Sequence, residues 1–265
     1  MTEFLHLLDA QMQRPGMYGV FHLTAFALTI ALAVFLVIEF KNAKDGVFRR
    51  ICLVFWLILV LFETYKQVNF SFNYNGGDPY WDYQWYAFPF QNCSALLYVL
   101  PFVFLSKPGS AVRRSACAYT AFYSMFAGLA VMLYPATVFT ETIGINIQTM
   151  VWHGTQLALG VFFIAYHRKQ LNFRFFLSAI PAFLCLVAVA LALDMIVPCF
   201  TDETFNMFFI SPKFPCTLPL LSVVWDKAPW PVFIAAYILG FTLAALLMYL
   251  ISKLVFGKAS GKHNN

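Results

Sequence analysis

The chain has 265 residues, of which 61% are hydrophobic and only 11% are charged. A water-soluble domain cannot bury that much apolar surface, so the composition excludes a soluble enzyme and predicts an all-α, polytopic integral membrane protein. The formal net charge is +5. The positions of the basic residues, given below, explain this charge, and we expect no nucleic acid partner.

The first 17 residues are expected to form an N-terminal segment ahead of the first membrane span. Phe4, Leu7, Leu8 and Met12 fall roughly on one side of a helix. This pattern predicts a short helix lying in the membrane interface.

Seven apolar stretches follow along the chain. A bilayer core of about 30 Å needs about 20 apolar residues in a helix. The stretches that qualify are 18–40, 47–68, 86–106, 116–135, 146–166, 175–198 and 230–253. We therefore expect one seven-helix transmembrane domain over residues 18–253, followed by a basic cytoplasmic tail over residues 254–265.

The loops between these stretches are alternately basic and neutral to acidic, and 13 of the 17 Lys and Arg residues fall on one side. These are Lys41, Lys44, Arg49, Arg50, Lys107, Arg113, Arg114, Arg168, Lys169, Arg174, Lys253, Lys258 and Lys262. The positive-inside rule then predicts an N-terminus outside and a C-terminus in the cytoplasm. We expect the membrane to be a bacterial cytoplasmic membrane.

Polar side chains within the predicted spans are costly to place in lipid and are therefore the first candidates for function. None of them lies in the inner half of the predicted bundle, which indicates a polar pocket open to the outer leaflet. They are His22, Glu63, Lys66, Gln67, Gln91, Asn92, Cys93, His153, Gln156 and Asp194.

One pair among them has a specific chemical use. Cys93 in the third stretch and His153 in the fifth each lie about seven residues from the outer end, or roughly 10 Å. A thiolate is a nucleophile, and a neighbouring imidazole can take the proton of the thiol. Amide groups of Gln91, Asn92 or Gln156 could donate hydrogen bonds to a developing oxyanion.

Plainer interpretations of these residues remain open. A lone intramembrane cysteine is usually a small apolar side chain, and a lone histidine usually bonds a neighbouring helix. Glu63 could pair with Lys66 or Gln67 on the same helical face, and Asp194 could simply be solvated. A transporter or ligand-binding protein with Glu63, His153 and Asp194 as a relay is an alternative function.

The sequence contains no CxxC, HxxxH, GxGxxG or GKS pattern, and we expect neither a metal nor a cofactor. Cys199 and Cys216 belong to the last outer loop and could form a disulfide in an oxidising compartment. The sequence leaves the oligomeric state open.

Four segments together resemble the YwaF-like integral membrane family, which is related to the animal transmembrane protein 164, an acyltransferase of ether phospholipids. The segments are FPFQNCSALLYVLP, MLYPAT, WHGTQLALGVFF and NMFFISPKFPCTLPLL. The resemblance implies a seven-helix fold and acyl transfer between membrane phospholipids, with Cys93 as the thioester-forming nucleophile and His153 as the base. The last segment begins at Asn206, which we add to the predicted pocket. The chain departs from its relatives at Asn92, where they often have Leu, and at Trp152, where many have a second His.

Overall fold

The structure, a computed structural model, describes residues 6–73 and 79–257 and is mostly helical. The start of the predicted interfacial segment, including Phe4, and most of the predicted basic tail lie outside the described residues. In chain order the helices are α1 (Val20–Phe40), α2 (Asp45–Ser71), α3 (Ala95–Leu105), α4 (Ala111–Tyr119), α5 (Met125–Leu133), α6 (Ile143–Tyr166), α7 (Phe173–Leu177), α8 (Ala179–Ile196), α9 (Leu221–Lys227) and α10 (Trp230–Phe256).

Helices occur at all seven positions where spans were predicted. Among the described residues, four helical segments are long and apolar enough to cross a membrane by length and composition: Val20–Phe40, Ala111–Leu133, Phe173–Cys199 and Trp230–Phe256. A shorter apolar helix covers Asn92–Leu105. A small antiparallel hairpin of β1 (Phe72–Asn73) and β2 (Tyr80–Trp81) follows α2.

The third predicted span begins later than the sequence indicated. Residue 86 was expected to lie in this helix, but α3 starts at Ala95 and is preceded by a 3₁₀ turn, Asn92–Ser94. Pro89 disfavours helical geometry at the residue before it, and Phe88 accordingly has ψ 136. The prediction that Cys93 lies two turns inside a helix is therefore wrong, because Cys93 lies in the turn that opens the helical segment.

Helix α6 forms the centre of the bundle, and most of its residues are buried. It packs against α1, α2 and α5. Gly128 of α5 allows one of these close contacts, since a Cβ there would lie 2.6 Å from the carbonyl oxygen of His153. Small residues at such crossings are typical of membrane helices, because they let two backbones approach.

Helices α4 and α5 are joined by a five-residue π-helical turn, Thr120–Ser124. Such turns insert an extra residue into a helix and often lie near functional sites. All five residues of this turn are buried, and the ring of Tyr123 stacks on Phe183 of α8 at 4.4 Å. The turn therefore lies inside the bundle.

The loop between α8 and α9 also folds into the bundle, and Phe205, Met207, Phe208, Ile210 and Ser211 are each fully buried. The backbone N–H of Met207 donates to Asp194 Oδ1 of α8 at 2.6 Å. Phe208 has a left-handed backbone with φ 56, an unfavourable conformation for a bulky residue. Its ring lies 5.7 Å from that of Phe90, so the loop packs directly on the segment that precedes α3.

The described part of the N-terminal segment is helical only at residues 6–8. Tyr65 of α2 donates its hydroxyl to the Leu8 carbonyl at 2.7 Å. The backbone of Met12 donates to the Glu141 carbonyl at 2.7 Å. This segment therefore lies against the ends of α2 and α6 on the side predicted to be external.

Candidate functional site

The backbone of Cys93 is bonded to α6 by two side chains. Its carbonyl oxygen accepts hydrogen bonds from Trp152 Nε1 and from Gln156 Nε2, each at 2.8 Å. Residues four apart in a helix lie on one face, so the two donors approach the turn together. His153 follows Trp152 directly in the sequence, and its helix is thereby fixed against the Cys93 turn. The thiol of Cys93 is free.

The hydrogen bonds of His153 fix its tautomer. The side chain is buried, and Nδ1 lies 2.8 Å from the carbonyl oxygen of Thr149. A carbonyl can only accept a hydrogen bond, so Nδ1 carries the proton and the neutral ring has its lone pair on Nε2. Within the described residues Nε2 has no hydrogen-bond partner. This is the state that a general base requires.

A buried ion pair lies on α2, which packs against both α3 and α6. Lys66 Nζ is 2.7 Å from Glu63 Oε1, and the two side chains are only 13% and 7% exposed. Gln67 Nε2 donates to the same Glu63 oxygen at 2.8 Å and to the Ala87 carbonyl at 2.7 Å. The charges of Glu63 and Lys66 act electrostatically on Cys93, and Lys66 also acts on His153. The structure thus brings together α2, the Cys93 turn and α6.

A cavity of about 410 Å³ opens next to this ion pair. Trp81 of the hairpin forms one wall, while Pro89 and Leu97 stand four residues before and after Cys93. Its lining residues are Val60, Glu63, Thr64, Gln67, Val68, Trp81, Pro89 and Leu97. The cavity is therefore apolar along most of its wall and polar at Glu63, Thr64 and Gln67.

The amides predicted to form an oxyanion site have other contacts. Gln91 Nε2 donates to the carbonyls of Tyr86 at 3.3 Å and Asn206 at 3.4 Å, and Gln156 Nε2 donates to the Cys93 carbonyl. Both amides thus position the turn in this structure. Asn92 is half-buried in the same turn, and its side chain makes no hydrogen bond to a described residue.

His22 lies apart from the cysteine and holds a connection near the predicted outer end of α1. Its Nδ1 accepts a hydrogen bond from the Tyr18 backbone at 3.0 Å, so Nε2 is the protonated nitrogen and donates to the Met132 carbonyl at 2.9 Å. Both ring nitrogens are bonded to backbone groups, so His22 has the structural role of linking α1 to the backbone of α5.

Asp194 and Asn206 hold the buried loop between α8 and α9 in place. Asp194 bonds Met207 through one oxygen, and Asn206 donates to the Pro215 carbonyl at 3.0 Å while accepting from the Ser211 backbone at 3.0 Å. Their side chains therefore bond the loop, while the backbone of Asn206 reaches the site through Gln91.

All six cysteines are free in the structure. Cys199 is exposed and Cys216 is buried, so the disulfide considered from the sequence is not formed. Over residues 6–73 and 79–257, no three His, Cys, Asp or Glu side chains are grouped as metal ligands.

Two residues that hold this site were not among the candidates from the sequence. Trp152 appeared only as a departure from the family pattern, and Thr149 did not appear at all. The spacing of Trp152 and Gln156, four residues apart around His153, is the signal that could have identified the first. Thr149 acts through its backbone carbonyl, which leaves no signal in the side-chain sequence.

Comparison with models of known protein families finds a match. The sequence model of the TMEM164 family matches residues 17–251. No curated protein and no solved structure matches the chain. The family match covers most of the sequence, and the described part of the chain contains four helices that are long and apolar enough to cross a membrane. The protein is therefore an integral membrane protein that belongs to the TMEM164 family.

Proposed function

We propose that this protein is a membrane-embedded phospholipid acyltransferase that works through a thioester on Cys93, with His153 as the base. The observation that carries the proposal is the pair of hydrogen bonds from Trp152 and Gln156 to the Cys93 carbonyl. These bonds hold the backbone of the Cys93 turn against α6, the helix that carries His153, and His153 has its Nδ1 proton on the Thr149 carbonyl and its Nε2 lone pair available.

In the first half-reaction the Cys93 sulfur attacks the ester carbonyl carbon of a donor phospholipid, and His153 Nε2 takes the thiol proton. Collapse of the tetrahedral adduct breaks the ester C–O bond. The proton on His153 passes to the departing lysophospholipid oxygen, and the acyl group stays on Cys93 as a thioester.

In the second half-reaction a lysophospholipid hydroxyl gives its proton to His153 Nε2, and its oxygen attacks the thioester carbonyl. The C–S bond breaks, a new ester forms, and the proton returns to the Cys93 sulfur. The second half-reaction follows the same chemistry as the first in reverse, so one base serves both steps.

The position of Cys93 at a helix end favours a developing thiolate. Cys93 lies in the first turn of the helical segment Asn92–Leu105, where backbone N–H groups lack helical partners and the helix dipole is positive. Of the three predicted oxyanion residues, only Asn92 has an amide that makes no hydrogen bond to a described residue. We therefore assign to Asn92 the hydrogen bond that stabilises the oxyanion.

The proposed membrane arrangement has seven crossings, an external N-terminus and a cytoplasmic C-terminus in a bacterial cytoplasmic membrane. It rests on the distribution of Lys and Arg between the loops. This orientation would place the Cys93 turn in the outer half of the bilayer, near the ester groups of the outer leaflet.

The direct test is acyl transfer in reconstituted vesicles containing a phospholipid with an isotope-labelled acyl chain and an unlabelled lysophospholipid. Mass spectrometry of the lipids should detect labelled diacyl product with the native protein and none with Cys93→Ser. His153→Ala should slow transfer by about a hundredfold or more. Cys185→Ser, which changes an exposed cysteine of α8, is the matched control and should transfer normally.

Two outcomes of this experiment would contradict the proposal: no product from the native protein across several donor lipids, or full activity in Cys93→Ser. A relay through Glu63, His153 and Asp194 in a transporter predicts the reverse pattern, in which Cys93→Ala has little effect and Glu63→Gln abolishes uptake of the ligand.

A further inference from the structure

Two buried oxygen atoms at the cavity beside α2 lack a partner. Within residues 6–73 and 79–257, neither Glu63 Oε2 nor Gln67 Oε1 makes a hydrogen bond. Glu63 is only 5% exposed, and both residues line the 410 Å³ cavity. A buried acceptor without a partner is unfavourable, so such atoms in a cavity indicate a group that normally satisfies them.

The remaining polar atoms of the two side chains fix which kind of group this is. Gln67 Nε2 faces two acceptors, Glu63 Oε1 and the Ala87 carbonyl, so the amide cannot be reversed without losing both bonds. Glu63 Oε1 is bonded by Lys66 and Gln67. Both free atoms are therefore acceptors, and their ligand must supply hydrogen-bond donors.

The other walls of the cavity indicate a lipid. Val60, Val68, Pro89 and Leu97 present apolar surface, and Trp81 closes one side from the hairpin, where its ring contacts Phe72 at 5.0 Å. Pro89 and Leu97 lie four residues before and after Cys93, so the segments on both sides of the proposed nucleophile contribute to the cavity wall. A small polar solute would leave this apolar wall in contact with water.

We propose that this cavity is the headgroup subsite for a lipid substrate, and that it selects headgroups which end in hydrogen-bond donors. The chemical groups that fit are a primary ammonium or a hydroxyl. A trimethylammonium headgroup has no donor and leaves both Glu63 Oε2 and Gln67 Oε1 unsatisfied. That the bound lipid is a substrate rests on the proposed acyltransferase function. The headgroup preference in binding is independent of that function.

The test measures lipid binding in the full-length Cys93→Ala variant, which cannot form a thioester. Dissociation constants are measured in detergent micelles for lysophosphatidylethanolamine, lysophosphatidylglycerol and lysophosphatidylcholine with one common acyl chain. The first two should bind at least about tenfold more tightly than the choline lipid. Free ethanolamine should bind far more weakly than its lysolipid.

Three further variants in the same background assign the preference to the cavity. Glu63→Gln should reduce the preference for the ammonium headgroup about tenfold. Val60→Phe fills the cavity without changing a polar group and should weaken binding of all three lysolipids. Glu39→Gln removes an exposed carboxylate of α1 and should change nothing.

Equal binding of the three lysolipids would overturn the proposal, and so would free ethanolamine that binds as tightly as its lysolipid. An unchanged headgroup preference in a folded Glu63→Gln protein would also overturn it, as would unchanged lipid binding in a folded Val60→Phe protein. Thermal unfolding of each variant establishes that it is folded. Since binding is measured without acyl transfer, a failed headgroup preference and a failed acyltransferase assay are separate results.

Discussion

At the scale of single residues, Trp152 and Gln156 together place the turn that carries the proposed nucleophile. The indole N–H of Trp152 is one of two donors to the Cys93 carbonyl, and its ring is almost fully buried. Cys93 lies in a 3₁₀ turn, whose few internal hydrogen bonds hold it less firmly than an α-helix would. The position of the sulfur therefore depends on α6.

Replacing Trp152 by Phe should keep the packing of an aromatic ring and remove the hydrogen bond. We expect thioester formation to slow about tenfold, corresponding to the loss of roughly 1–1.5 kcal/mol from one such bond. The rate is measured by intact-protein mass spectrometry after mixing with donor lipid. Trp56→Phe is the control, because Trp56 donates to the Leu97 carbonyl at 2.9 Å, four residues further on. Equal rates in both variants would contradict a positioning role for Trp152.

The sequence was sufficient to single out Cys93, His153 and the α2 polar residues, because ionisable groups are rare in apolar spans. Depth and the family resemblance separated His153 from His22, but the sequence could not show how the ring nitrogens of either are bonded. Both are buried histidines, and they differ in which backbone groups lie near their ring nitrogens. Such contacts arise from tertiary packing, and side-chain patterns do not encode them.

At the scale of helices, the packing of α5 on α6 determines where the proposed base lies. The crossing occurs at Gly128, directly against the backbone of His153 and Leu157. A side chain at Gly128 would meet backbone atoms, which cannot move aside as a flexible side chain can. The site therefore depends on a glycine of a helix that contributes no reacting group.

Gly128→Ala should lower both stability and activity. Forcing the two helices apart is expected to cost about 1–3 kcal/mol, seen as a lower melting temperature in detergent, and to slow acyl transfer by displacing His153. Gly240→Ala in α10 is the matched control, since a Cβ there meets nothing within 4 Å, and it should leave melting unchanged or raised. A Gly128→Ala protein with native melting and transfer would refute this coupling.

Hydrophobic length predicted the positions of the helices well, but it misplaced the start of α3. The residues from 86 to 91 are apolar enough to continue a span, yet Pro89 and the buried loop between α8 and α9 keep them out of the helix. An apolar segment that packs against another loop has the same composition as one that faces lipid. Hydropathy therefore could not separate the two.

At the scale of the whole molecule, the orientation in the membrane remains a prediction from the charges of the loops. A membrane-impermeant maleimide tests it on intact cells. Cys199, which is exposed in the 3₁₀ turn after α8, should be labelled from outside. In a Cys199→Ala background, Lys107→Cys on the predicted cytoplasmic side should be labelled only after the cells are permeabilised. The opposite pattern would reverse the proposed topology.

The central claim is that Cys93 carries the acyl group, and the mass of the intact protein tests it most directly. After incubation with a phospholipid donor, without acceptor, the native protein should gain the mass of one acyl chain, and neutral hydroxylamine should remove it. Peptide mapping should locate the chain on Cys93, and Cys93→Ser should show no hydroxylamine-sensitive adduct. A native protein that stays unmodified with every donor, or one acylated at another residue, would contradict the account.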